Sequence, residues 1–332
     1  MSRSTSTRRQ RVARKPLSYV GSGFSRTDRG LSRRHFIHTG AAALGCALLP
    51  ASSATAGQTA RITSTDLGGA TLLQGAGCNV IAIPGPEGAL VIDGGRAENA
   101  DALLAAVKSA TGGSRVHTLI NTHWHPEQTG ANEAVGRGGG VIFAHEKTKM
   151  LLSNTVYTAV GITGRRPALP AAARPARTTR ADDSMEFAGQ QIDYGYLPAA
   201  HTDGDIYVFV PKLNLLAAGG VVSADEWPLL DYLNGAWLGG RVRALERLAT
   251  LVKPDTRIVP ANGRLMTGSE IVRHRDLYQK LFATMIGYLN MGLGPEDAVQ
   301  RNPLKEYEAQ FGDASEFEYG ALRSMMIAYV PD

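Results

Sequence analysis

The stretch Thr122-His123-Trp124-His125-Pro126-Glu127-Gln128-Thr129-Gly130 decides what kind of fold this chain adopts. Two histidines stand two residues apart, just past the apolar run Val116–Ile120, which is composed like a strand. In extended backbone, residues i and i+2 point to one face, so the two imidazoles are expected to converge on a single ion. Neutral imidazole suits zinc and related metals. A His-x-His pair alone is also what two chance surface histidines look like, so the weight falls on its companions.

The first companion is His201, in Leu197-Pro198-Ala199-Ala200-His201-Thr202-Asp203-Gly204-Asp205, ahead of a second strand-like run, Ile206 to Pro211. The second is Asp93, which ends Ala89-Leu90-Val91-Ile92-Asp93-Gly94-Gly95. In order and context these motifs resemble the metallo-β-lactamase superfamily. That family has an Asp-Gly after an early strand, a His-x-His-x-Asp-His loop, a lone downstream histidine, a later bridging Asp and a final Pro-Gly-His-Gly-like turn. The resemblance covers about Ile62 to Thr267. It implies an α/β (α+β) chain folded as a four-layer αββα sandwich, in which helices cover two facing sheets.

The departures from the family pattern are confined to one set of positions. The family's Asp-His after the second histidine reads Glu127-Gln128 here; its bridging Asp is replaced by Gly220; its last histidine is Asn262, in Pro260-Ala261-Asn262-Gly263. The resemblance therefore carries over three ligands of the first metal position, His123, His125 and His201, and not the usual ligands of the second. Glu127 can still bind metal, whereas Gln128, Gly220 and Asn262 are poor or impossible substitutes for anionic and imidazole donors. One ion per chain is expected, zinc first and iron as the alternative.

Three imidazoles around zinc leave one position open to water and lower its pKa, so a hydrolase using a metal-bound hydroxide is the leading expectation. Glu127 is its candidate catalytic base or water-orienting group. By the resemblance, Asp93 steadies the histidine loop from behind, as carboxylates that hold ligand imidazoles do. Asp205 either does similar work near His201 or caps a turn. The substrate is a small molecule whose chemistry stays open: β-lactam, lactone, ester, thioester and phosphoester reactions all occur on this fold, and a fold does not choose among them. Two other readings stand beside it. One is a non-catalytic metal- or ligand-binding relative, and the other is a mononuclear iron oxygenase with Glu127 as a ligand.

Charge is unevenly spread. Residues 1–56 hold ten Lys and Arg and one acid, and the remaining chain holds 25 basic and 29 acidic residues. The basic balance of the whole chain thus implies no nucleic-acid partner. Ser32-Arg33-Arg34-His35-Phe36-Ile37, an apolar stretch from Thr39 to Pro50, and Ala54-Thr55-Ala56 follow in the order of a twin-arginine signal peptide. The apolar stretch is too short for a permanent membrane span. Residues 1–56 are expected to be a signal read by the twin-arginine export machinery, and the mature protein to be periplasmic or otherwise exported. Cys78 is then the one cysteine left, forms no internal disulfide, and reads as a small buried hydrophobe.

Along the rest of the chain, strands and helices alternate over residues 57–268, the expected metallo-β-lactamase-fold domain. Within it, 57–68 reads as a polar entry and Gly161 to Asp183 as a long irregular loop, either a flap over the metal site or a surface insertion. The segment from Trp227 to Trp237 is expected to rim the site or to pack on the core. Residues 269–332 read as a helical extension of the same domain. His274 within it is expected to be solvated, and Met285, Met291, Met325 and Met326 to be core.

Overall fold

The structure, a computed structural model, describes residues 61–113, 115–158 and 164–328. The export signal expected over 1–56 lies outside the described residues. Strands β1 (Thr63–Asp66), β2 (Thr71–Gln74), β3 (Val80–Ile83), β4 (Ala89–Ile92), β5 (Val116–Ile120) and β6 (Val141–His145) build most of a first sheet. A small hairpin follows, β7 (Val156–Thr158) with β8 (Gly164–Arg166), and β9 (Arg177–Thr179) returns to close the first sheet. The second sheet runs β10 (Asp183–Phe187), β11 (Gln190–Leu197), β12 (Asp205–Val210), β13 (Leu215–Gly219), β14 (Arg257–Pro260) and β15 (Met266–Thr267), in that order.

Period-two patterning explains why these strands face one another as two layers. In β3, Ile81 and Ile83 join one buried cluster while Val80 and Ala82 join another. In β4 the split is Leu90 and Ile92 against Ala89 and Val91. The second sheet mirrors it: Ile206, Val208 and Val210 meet the first sheet's inner face, while Tyr207 turns outward. Both faces of each central strand are therefore apolar, as strands sandwiched between a second sheet and a helical layer must be. Helices α1 (Ala100–Ala110) and α3 (Asn132–Arg137) cover the first sheet, with β5 and the single turn α2 (Pro126–Thr129) between them in sequence, and α4 (Glu146–Ser153) follows β6. Helices α5 (Leu238–Leu251), α6 (Gly268–Asn290), α7 (Pro295–Arg301), α8 (Glu308–Phe311) and α9 (Ser315–Ala328) cover the second. The result is the four-layer αββα arrangement.

Several expectations are corrected here. The polar entry contains β1, whose four residues are exposed and pair antiparallel with β2; an edge strand of Thr, Ser and Asp has no apolar alternation to betray it. The long loop contains β8 and β9, each three residues long and largely exposed. His274 is buried on α6 against Phe311 and Tyr278, not solvated, because the chain after α7 folds back over it. Met285 and Met325 are core residues, whereas Met291 is exposed just past the end of α6. Cys78 is buried and unpaired, as expected. Among the described residues, no helix is long and apolar enough to cross a membrane.

The placement of the site follows from the topology. Strands β4, β5 and β6 run parallel, as do β13 and β14. Chain leaving the carboxyl ends of these strands supplies Asp93, the histidine loop, Gly220 and Asn262. Backbone hydrogen bonds from Ile206 N to Thr122 O (2.9 Å) and from Asn79 N to Ala261 O (2.6 Å) tie the two sheets together at that edge.

Candidate metal centre

His123, His125 and His201 are all buried, and one ring nitrogen from each lies within 4.8 Å of the other two. They do not converge as neighbours on a strand. β5 ends at Ile120, residues 122–125 form a bend, and His125 sits in extended backbone one residue ahead of α2, with Pro126 opening that turn. A loop at a strand end can aim two rings with more freedom than a pleat allows, and here it sets them edge to face, 4.8 Å between centroids.

Each ring has one nitrogen occupied by the protein. His123 Nδ1 is 3.0 Å from Thr122 Oγ1, whose own proton goes to the Asp93 carboxylate at 2.8 Å. His125 Nε2 is 3.2 Å from Asp231 Oδ2. His201 Nδ1 is 2.7 Å from the Leu229 carbonyl, which also accepts from buried Arg241 at 2.8 Å. Those partners fix the tautomers: the occupied nitrogens donate, and the lone pairs of His123 Nε2, His125 Nδ1 and His201 Nε2 are left facing inward. His123 Nε2 has no hydrogen-bond partner at all, and His125 Nδ1 and His201 Nε2 lie 3.1 Å apart. Three buried acceptors crowded together without a proton between them are an arrangement that a cation stabilises. Burial and the adjacent rings hold His123 well below its ordinary pKa, and burial, His125 and Arg241 do the same for His201, so both stay neutral as ligands must.

The carboxylates behind the rings are buried too. Asp93 turns the chain at φ +64°, a left-handed conformation that Asp tolerates better than most residues, and it accepts from Thr122 N at 2.8 Å. Burial pushes its pKa up to about 7 against the opposing pull of those hydrogen bonds. Asp205 accepts from His201 N (2.7 Å), Thr202 N and Thr202 Oγ1, and so holds the backbone of the His201 turn. Burial raises it to about 6. Glu127 reaches toward the trio, its Oε1 3.8 Å from His125 Nδ1, and keeps 19% of its side chain exposed in the adjoining cavity.

Asp231, which contacts His125, was not singled out by sequence reasoning. It lies 106 residues from its partner, and no local spacing could connect them. Ser223 and Arg241 are likewise new. Ser223 Oγ is buried without a partner beside the cavity, and Arg241 donates to the Val221 and Leu229 carbonyls. The Trp227–Trp237 segment does rim the site: Trp227, Leu229, Leu230 and Tyr232 line the cavity. His145 stands apart from the trio, its Nδ1 accepting from Lys147 N at the start of α4 and its ring stacked on Tyr196.

The second metal position has a different character. Gly220 brings bare backbone so close that a Cβ there would overlap the His201 imidazole. The Gln128 side chain is fully buried, and neither of its polar atoms has a partner. Asn262 lines the cavity without an imidazole or carboxylate to offer. These residues do not fit a second ion.

The model of the metallo-β-lactamase superfamily matches residues 73–263, more than half of the chain. No curated protein is similar enough to stand as a relative. Among solved structures, the chain is similar to the DIM-1 metallo-β-lactamase, at 16% identity and TM-score 0.53, over 67% of this chain and 98% of that one. It is similar to the BLEG-1 B3 metallo-β-lactamase, at 18% identity and TM-score 0.53, over 66% of this chain and 99% of that one. A double mutant of the sec-alkyl sulfatase PisA1 is also similar, at 16% identity and TM-score 0.61, over 82% of this chain and 51% of that one. These likenesses concern the fold, and the family match goes further: the chain belongs to the metallo-β-lactamase superfamily.

Proposed function

We propose that this protein is a hydrolase working with one metal ion, zinc by preference, held by His123, His125 and His201. The observation that carries the reading is the convergence of three buried imidazole lone pairs whose opposite nitrogens are tied to Thr122, Asp231 and the Leu229 carbonyl. Held by these three nitrogens, zinc would supply a water acidified toward neutrality.

The chain's own residues supply the rest. Glu127, partly exposed beside the trio, takes a proton from the attacking water and returns it to the leaving group. For an acyl substrate, the water oxygen bonds to the acyl carbon and the departing oxygen, sulfur or nitrogen leaves with that proton. Asp93, through Thr122, and Asp231 keep the rings oriented. β-Lactam, lactone, ester, thioester and phosphoester bonds remain the substrate classes in view.

A second reading, a binding protein without turnover, draws on Gly220, Gln128 and Asn262, which leave the second position without donors. Elemental analysis and a substrate panel separate the two. Protein purified without chelator should carry close to one zinc per chain, lost on His201→Ala, and should turn over at least one panel member. A ratio near two would overturn the single-ion assignment. Full metal with no turnover would favour the binding protein. Iron in place of zinc would favour the oxygenase with Glu127 as ligand. We also propose export by the twin-arginine route; unchanged delivery in cells lacking that translocase would exclude it.

A further inference from the structure

The cavity outside the histidines, about 560 Å³, has a charge pattern that the hydrolase reading does not use. Apart from the histidines, its ionisable lining is Arg96, Glu127, Glu226, Asp313 and Glu316. Arg96 and Glu127 also line a second cavity. Four carboxylates thus stand against one arginine, and three of them, Glu226, Asp313 and Glu316, line only the first cavity. Among the described residues, the side chains of Glu226 and Glu316 make no ion pair or hydrogen bond, and the Asp313 carboxylate accepts only from Ser315.

The same cavity carries an aromatic wall. Trp227 stacks on Phe317 (5.4 Å between centroids, 13° between planes) and packs on Phe311, while its Nε1 donates to Gly312 O. Tyr232 completes the surface. In the same lining, Ser223 has a buried hydroxyl with no partner, and His123 Nε2 is equally unpaired. An orphaned hydroxyl buried beside a cavity is a polar contact waiting for a ligand atom.

Resting on the hydrolase reading, we propose that the substrate is an acyl compound carrying a quaternary or protonated amine away from its scissile bond. The acyl group lies toward the histidines and Ser223, and the cation lies over the aromatic wall within reach of Glu226, Asp313 and Glu316. Aromatic faces and carboxylates both attract a cation, and an excess of carboxylates along one cleft raises the local concentration of cations. The same wall repels anions. Sulfate esters, phosphoesters and carboxylate-bearing β-lactams meet three uncompensated carboxylates there and are disfavoured.

The test compares a matched pair of probes on the zinc-loaded protein. In titration calorimetry, phenyltrimethylammonium should bind about tenfold tighter than benzenesulfonate, and added salt should shrink the difference, as expected for partly exposed charges. Glu226→Gln with Glu316→Gln should erase most of that preference, and the corresponding Lys pair should reverse it. Both residues are exposed, so the variants should keep the wild-type fold and zinc content. In the turnover arm, trimethylammonio-phenyl acetate should exceed sulfo-phenyl acetate in kcat/KM by a similar factor. Equal or reversed binding, or a preference indifferent to both variant pairs, would overturn the proposal. Cation-selective binding with neither ester hydrolysed would leave the wall's selectivity standing and refute the acyl-hydrolase reading beneath it.

Discussion

The two metal positions of the family's site lie side by side in this molecule and have met opposite fates. At the first, each histidine is held by a partner from a different part of the chain: Thr122 backed by Asp93, Asp231, and the Leu229 carbonyl backed by Arg241. At the second, an anionic donor has become a glycine whose backbone crowds His201, and an imidazole has become a buried Gln128 with unpaired atoms. The contrast shows that the substitutions stop short of the first position and its supporting shell. A neutral, desolvated imidazole set is costly to maintain with nothing bound, so its complete retention is an argument for use.

The largest test of that contrast is Glu127→Gln, which keeps the shape and removes the charge. If Glu127 serves as base beside an intact three-histidine site, kcat should fall by about 100- to 10,000-fold with zinc content unchanged. Loss of zinc together with activity would instead make Glu127 a ligand and blur the line between the two positions. Asp231→Asn comes next. It should weaken zinc affinity by about 10- to 100-fold, measured by competition with a chelator, because it loosens the ring orientation of His125. An unchanged affinity would mean that the His125–Asp231 contact is incidental.

Gly220→Asp probes the other side of the comparison by restoring the family's carboxylate. A Cβ there overlaps His201, so the variant should bind zinc several-fold more weakly and gain no second ion. A rise toward two zinc ions per chain would show that Asp at 220 was the one missing piece. The smallest effect is expected far from the metal. Burial lowers His274 to about 4 from an ordinary value of 6.5. The folded state therefore prefers neutral His274, and this contribution is present above pH 6.5 and lost as pH falls toward 4. His274→Phe should remove that loss, worth up to about 3 kcal/mol for a shift of this size. Urea melts of both proteins across that range should diverge as pH falls, with zinc content at neutral pH unaffected.

The sequence made the sandwich legible because the strands at its centre are short apolar runs ended by Gly, Pro and Asp, and because Asp93, His123, His125 and His201 stand in a recognisable order. Val116–Ile120 was readable to the residue. Weaker elements escaped: exposed β1 has no alternation, and β8 and β9 are three residues each. At the site, the ring ligands were visible, while the groups that orient them were visible only when adjacent. Thr122 neighbours His123, but Asp231 and Arg241 reach the histidines through tertiary packing alone. His274 was misjudged for the same reason: its burial is decided by Phe311, on a helix 37 positions further on.

The aromatic wall has one more consequence. It is built jointly by the loop at Trp227 and by the tail from Phe311 to Gly320, whereas all three histidines belong to the sandwich. The same loop also supplies the Leu229 carbonyl and Asp231, which orient His201 and His125, and Phe317, Ala321, Leu322 and Met325 of α9 are buried in the core beneath it. The surface that meets a ligand and the groups that aim the rings thus form one packed unit. Hydrogen exchange should find the amides of α9 protected, and a change in the tail that tilts Trp227 should be felt at the metal ligands as well as by the substrate.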